Sequence, residues 1–338
     1  MSFGRRLTLI VALVALGACG GGSSDTVDTV AVSTSESVED NAPGTDSTVS
    51  SIEVLPVVVV TYSPLQSIVE DIVGDAARVE VVIPNGTDPH DFEPSAKDVE
   101  TMSSAAIVVS NGLDLEEGLE DALGEVEKSG VPVFHITDHV TLRDGSKDEH
   151  SHDEADSGEE HSHAEEDAHD HGSTDPHVWL DPLTLAEAVP ALADEIGGRI
   201  GIDLTASGGA VVASLTALHA DIEKRIGTLE SCVVITGHDS LGYFGARYGC
   251  EVLGSIIPSF STAAEATAKN LAELKGLAES EGVKAIFTEL GTPTDVAEQL
   301  ASEVGVEVVE IATHLVPDGG GYDEMMLVLT DAIVGGLS

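Results

Sequence analysis

Histidine is the residue type that could do chemistry in this chain. Six of its thirteen imidazoles stand in the stretch HSHDEADSGEEHSHAEEDAHDHG, at His150, His152, His161, His163, His169 and His171, interleaved with carboxylates. Such a stretch can gather transition-metal ions weakly, but its polar composition offers neither a fixed geometry nor a buried supporting shell. Four further histidines stand in a different setting: His90 in NGTDPHDFEP, His177 in TDPHVWLDP, His238 in TGHDS and His314 in ATHLV. Their spacing matches no compact zinc motif such as HExxH or paired CxxC, so a site made from them needs the fold to bring distant loops together. Zn(II) accepts four nitrogen or oxygen ligands tetrahedrally and suits imidazoles, whereas Mn(II) prefers more carboxylate. Copper and nickel would also accept imidazoles, and availability would have to exclude them.

The elements that must position these residues follow from hydrophobic periodicity. β-rich runs at 54–61, 78–84, 106–110 and 131–137 alternate with helical patterns at 65–73, 95–103 and 115–126. This alternation signals parallel βα units. Two helices follow, at 183–200 and about 207–229. In the second, Val211, Leu215, Leu218, Ile222 and Ile226 recur at helical spacing over about 35 Å, while Gly208 and Gly209 weaken its start. The plan then repeats with strands at 232–236, 251–256, 283–288 and 307–311, helices at 241–248, 263–281 and 295–304, and a last helix at about 322–334. The fold class is therefore α/β, with two (β/α)4-type lobes of parallel sheet joined by a long helix. The expected division is an N-terminal lobe at 53–205, a connecting helix at 206–230 and a C-terminal lobe at 231–338. A polar segment, 144–174, disordered by composition, interrupts the first lobe.

Open α/β sheets bind ligands outside the carboxyl ends of their strands. His90, His177, His238 and His314 all fall at such exits, two from each lobe, which points to a metal site in the cleft between lobes. His135 falls inside a strand and His219 inside the long helix, where a structural or solvent-facing role is the default. His139 follows a strand without a counterpart in the other half and is held in reserve.

Composition narrows the partners. Fourteen Lys and Arg against 61 Asp and Glu give a net charge of −47 in 338 residues, which argues against nucleic acid and an anionic membrane surface as partners and makes a cation the natural guest, a salty habitat or simple solubility being the alternative cause of the acidity. The first 18 residues read as a lipoprotein signal peptide: Arg5 and Arg6, an apolar run too short to span a bilayer, then Leu16-Gly17-Ala18-Cys19, which resembles a lipobox with Cys19 as the acylated residue. Residues 19–52 read as a disordered tether reaching roughly 30 Å. In an oxidising compartment Cys232 and Cys250, each opening a strand, are expected to bridge.

DPHDFEPSAKD, NGLDLEEGL, DPHVWLDP, GHDSLGYFGARYG, AIFTELG and YDEMM together resemble the zinc and manganese substrate-binding proteins of ABC importers, the ZnuA-like class. The resemblance runs from about Val57 to the end. It implies a rigid connecting helix, metal held in the cleft, and delivery of Zn(II), or alternatively Mn(II), to an ABC permease by a monomer tethered to the membrane through its lipid. By that resemblance His90, His177 and His238 stand at ligand positions. The fourth place holds His314 where many relatives have a carboxylate, with Asp318 four residues on or water as the alternatives. Asp91, Asp239 and Glu289 are expected to orient ligands or cap helices. A zinc hydrolase and an extracellular metal store or adhesin are the competing classes, and binding is expected to weaken as pH falls through the ordinary imidazole pKa of about 6.5.

Overall fold

Four consecutive valines open the first sheet. Val57–Val60 (β1) is β-branched throughout and its last three residues are fully buried, as in a parallel strand covered on both faces. The structure is a computed structural model describing residues 55–143, 174–289 and 291–338. In it β1 pairs in parallel with Arg78–Val81 (β2) on one side and Ile107–Ser110 (β3) on the other, and β3 pairs with Val133–His135 (β4). Helices Ser63–Val73 (α1), Ala96–Ser103 (α2) and Glu120–Lys128 (α3) lie between these strands in sequence. Ser95 begins α2 through a capping box with Asp98, which satisfies donors that a helix start leaves open.

Two long helices, Pro182–Ile200 (α4) and Thr205–Ile226 (α5), lead to the second sheet. That sheet contains Val233–His238 (β5), Glu251–Ile257 (β6), Ala285–Thr288 (β7) and Glu307–Glu310 (β8). Its order β6-β5-β7-β8 repeats the β2-β1-β3-β4 order of the first, so the expected pair of parallel four-stranded sheets is present. Gly242–Tyr248 (α6), Ala268–Glu281 (α7) and Thr294–Val304 (α8) alternate with its strands, and Tyr322–Leu337 (α9) ends the chain. A disulfide joins Cys232 to Cys250 just ahead of the paired starts of β5 and β6, with Cα atoms 4.5 Å apart.

Packing ties the lobes together. The 22 residues of α5 span about 33 Å, and Val211, Leu215, Leu218, Ile222 and Ile226 are all buried along one stripe. α5 packs against α4, α9 and α1. One apolar core runs from the first sheet through these helices to one face of the second sheet, where it includes Val234, Ala285 and Phe287. A second core, with Ile235, Ile286, Leu274 and Leu300, covers that sheet's other face.

Two helices begin later than periodicity predicts. The helix expected from Leu115 is a 3-10 turn at Glu117–Leu119 before α3, because Glu116 turns inward. Its buried carboxylate accepts the Asn111 N–H at 2.9 Å and the Thr61 hydroxyl. The helix expected from Ala263 starts at Ala268, where the Thr267 hydroxyl accepts the Asn270 N–H. The residues expected to form a signal peptide and a tether, Cys19 among them, and the six clustered histidines lie outside the described residues.

Gly208 and Gly209 separate sharply in space. A Cβ on Gly208 would sit 2.8 Å from Ala193 Cβ, so the close approach of α5 to α4 requires a glycine there, whereas Gly209 is exposed with nothing within 4 Å. Gly208→Ala should therefore lower unfolding free energy by about 1–3 kcal/mol through overpacking, while Gly209→Ala should raise it by about 0.5–1 kcal/mol through helix propensity. Urea unfolding of the two variants decides this, and effects of equal sign would contradict the packing account.

Candidate metal centre

Two loops and the end of a strand, drawn from both lobes, converge at the carboxyl ends of the sheets. His90 is carried by the loop between β2 and α2. His177 precedes a 3-10 turn at Val178–Leu180, and His238 is the last residue of β5 rather than a residue beyond it. All three are buried, and one potential ligand nitrogen from each lies within 4.8 Å of the others. The ring centroids form a triangle with sides of 5.7, 5.5 and 5.1 Å.

His177 and His238 face each other with Nε2 atoms 3.1 Å apart. Behind them, His177 Nδ1 lies 2.9 Å from Asp175 Oδ1, and His238 Nδ1 lies 2.6 Å from Glu289 Oε1. A carboxylate behind an imidazole favours a proton on the rear nitrogen and leaves the front lone pair for a metal. Two such lone pairs aimed at one point repel until a cation, or a single shared proton, stands between them.

Each support is fixed in turn. Asp175 Oδ1 also accepts the His177 backbone N–H at 2.9 Å, while Arg143 Nη1 stands 3.4 Å from its other oxygen. The preceding carbonyl, Pro176 O, accepts from Asn111 Nδ2 at 2.9 Å, and Trp179 Nε1 donates to Thr313 O at 2.7 Å. Glu289 accepts from the backbone N–H groups of Gly237 and His238 at 3.2 and 3.3 Å and from the Ser240 hydroxyl at 2.8 Å.

Burial disfavours charge on these rings. With the imidazoles around it, burial pushes His90 down to about 2. His177 is held well below its ordinary value by burial and by His238, and burial also lowers His314. His238 is the exception. Burial pushes it down, but contact with the Glu289 carboxylate outweighs that and raises its pKa, while the same contact holds Glu289 low despite burial. Of the facing pair, His238 takes the proton.

His314 stands outside the set of three but is buried beside it. Its charge is felt by His90 and His177, its Nδ1 lies 3.1 Å from the Thr313 hydroxyl, and its Nε2 is buried without a hydrogen-bond partner. An orphaned buried nitrogen next to three imidazoles fits a fourth donor. Asp318 is exposed. Asp91 is exposed as well, and the carboxylate near His90 is Asp88, whose Oδ1 accepts the His90 backbone N–H at 3.1 Å. Of the sequence expectations for orienting carboxylates, Glu289 backs His238. Asp175, which periodicity left unassigned, was legible as the residue two before His177. The remaining histidines lie elsewhere: His135 Nδ1 is 2.6 Å from Ser110 Oγ, exposed His139 stacks on Phe134, and His219 stacks on Tyr248.

Comparison with known proteins gives a consistent set. The family described as zinc-uptake complex component A, periplasmic (ZnuA), matches residues 58–336. The high-affinity zinc uptake system protein ZnuA of Bacillus subtilis is 30% identical over 285 residues, covering 82% of this chain and 86% of that one. The zinc-binding protein AdcA of Streptococcus pyogenes is 29% identical over 260 residues, or 75% of this chain, and the chain matches 50% of that relative's length. In structure, the periplasmic zinc binding protein TroA from Treponema pallidum shares the fold, with a TM-score of 0.69, 24% identity, and coverage of 84% of this chain and 99% of that one.

If the two carboxylates orient ligands, their isosteric amides should weaken zinc binding without unfolding the chain. Asp175→Asn and Glu289→Gln are each expected to reduce zinc affinity about 10–100-fold, measured by competition with a chromogenic chelator. Affinity unchanged in both would remove them from the site.

Proposed function

We propose that this protein, which belongs to the ZnuA family of zinc-uptake complex components, captures Zn(II) outside the cytoplasm and delivers it to the permease of an ABC importer. The observation that carries the reading is the burial of His90, His177 and His238 with ligand nitrogens within 4.8 Å of one another. His314 is proposed as the fourth ligand. Four neutral nitrogens favour zinc over manganese, which takes more oxygen. The same reading holds the chain at the membrane through acylated Cys19 and treats it as a monomer.

Capture requires no bond-making. Neutral imidazoles replace the water around the ion, the lobes close on it, and the shared core limits how far they move. A hydrolase would need an open coordination position and a general base free to act on bound water. Here the nearest buried carboxylates, Asp175 and Glu289, are engaged by the ligands themselves, which supports a binder. A metal store would instead place its ions on the clustered histidines at 150–171.

Zinc and manganese binding should be measured by chelator competition on the intact chain, on a deletion of residues 146–173 and on His238→Ala. The intact and deleted forms are expected to hold one zinc tightly, and manganese more weakly. His238→Ala should lose more affinity than the 10–100-fold typical of an orienting residue. Tight binding lost with the deletion and kept in His238→Ala would instead assign the ion to the clustered histidines.

The pH dependence sharpens the expectation made from unperturbed imidazoles. His90, His177 and His314, lowered by burial, carry no proton for zinc to displace near neutrality. His238, raised by Glu289, does so at pH values below its raised pKa. Apparent zinc affinity should therefore be level above that pKa and fall about tenfold per pH unit below it, the slope of one proton. Isothermal titration from about pH 5 to 8 reads this slope, and a slope of two or three protons would contradict the assignment.

A further inference from the structure

Within the set of three clustered histidines, His90 differs from the other two in how it is held. Asp175 pins the ring of His177, and Glu289 pins that of His238. The ring of His90 has no such carboxylate, and its buried Nδ1 makes no hydrogen bond among the described residues. Its position must come from its loop, and that loop is fastened to the other lobe.

Two fastenings cross the cleft. Asp88 accepts the His90 N–H on Oδ1 and, on Oδ2, the Thr262 hydroxyl at 2.7 Å. One carboxylate thus ties the backbone of a proposed ligand to the loop between β6 and α7. The contact is built closely. Gly291 has φ +88°, and a Cβ there would lie 2.1 Å from Asp88 Oδ2, so only glycine lets the carboxylate seat. Three residues earlier, Asn85 pairs with Val316 in both directions: its Nδ2 donates to Val316 O at 2.7 Å and its Oδ1 accepts Val316 N–H at 2.9 Å. This second tie lands on the loop that also carries His314.

We propose that Asp88–Thr262 and Asn85–Val316 form a latch across the cleft that holds His90 over the ion and so sets how long the ion stays bound. Asn85, Asp88 and Thr262 are positioning residues, acting on the metal through His90. Opening the latch frees one ligand while His177 and His238, each held by its own carboxylate, keep their places. The ion then leaves along a path that needs neither sheet to deform. A partner pressing on the 312–318 loop would reach the Asn85 tie directly. The inference rests on the zinc-capture reading given above.

The experiment measures zinc dissociation from the full chain by stopped-flow trapping with excess chelator, alongside zinc association and the thermal midpoint of the zinc-free form. Thr262→Val, nearly isosteric, should speed dissociation about three- to tenfold, the factor that loss of one ordinary hydrogen bond supplies, and Asn85→Ala, which removes two, should speed it at least as much. Association should change less than twofold. Thr262→Ser should restore the slow rate, which a merely structural residue would not require. Dissociation unchanged in both variants, or a rise in Thr262→Val that Thr262→Ser does not reverse, overturns the latch and leaves the capture reading intact. Failure of the unaltered chain to bind one zinc tightly overturns both.

Discussion

Two ring nitrogens from opposite lobes, His177 Nε2 and His238 Nε2, meet 3.1 Å apart in a place closed to water. Everything around them serves that approach. Neither ring can turn away, because a carboxylate holds its rear nitrogen, and the two cannot both charge, because a second proton would face the first in a low-dielectric site. The molecule holds this arrangement because one apolar core is shared between its two sheets and limits their relative movement. A cleft between lobes on a flexible linker would relax by opening.

The fixing is done by packing. The apolar core does not stop at the lobe boundary but continues from β1 and β3 through α1, α4, α5 and α9 into Phe287 and Val234 of the second sheet. Moving one sheet against the other would expose part of a continuous interior, at roughly 25 cal/mol for each Å² of apolar surface uncovered. The final helix adds to this, since Tyr322 sends its N–H to Ser67 Oγ and its hydroxyl to Trp179 O, joining the chain's end to α1 and to the segment bearing His177. Motion is thus left mainly to loops, and of the three clustered histidines the one on the loop between β2 and α2, His90, has no carboxylate behind its ring among the described residues.

Periodicity carried most of the fold. The eight strands and the apolar stripe of α5 were legible because both faces of a parallel strand and one face of a helix must be apolar to be buried. It was less informative where a polar side chain turns inward: Glu116 replaces the expected start of α3, and Thr267 delays α7 by capping it at Asn270. For the site, His90, His177 and His238 were legible as histidines at strand exits. Asp175 lies two residues from the histidine it supports, whereas the contacts of Asn85 and Asp88 with Val316 and Thr262 join residues 231 and 174 positions apart. No local pattern encodes such a pairing. It exists only once two sheets face each other. Gly208, expected to weaken the start of α5, reflects the same limit, since its reason is the close approach of Ala193 on another helix, whereas Gly209 has no such neighbour.

The charge of the chain and the charge of the site act at different ranges. A net charge of −47 draws cations toward the surface, but salt screens it within about 8–10 Å, and it cannot compensate a divalent ion enclosed by neutral imidazoles. A buried charge of that kind is costly unless countered nearby. Asp175 and Glu289 are placed to counter it from one ring's width away, each through the imidazole it holds. Zinc with these two carboxylates would be close to neutral as a group, without any carboxylate touching the metal. This balance also gives His314 a physical sense: a neutral fourth donor leaves the group neutral, whereas a carboxylate in its place would add an uncompensated negative charge beside Asp175 and Glu289. The net charge of the chain acts only within a screening length, and two buried carboxylates bear on which charge can remain at the site.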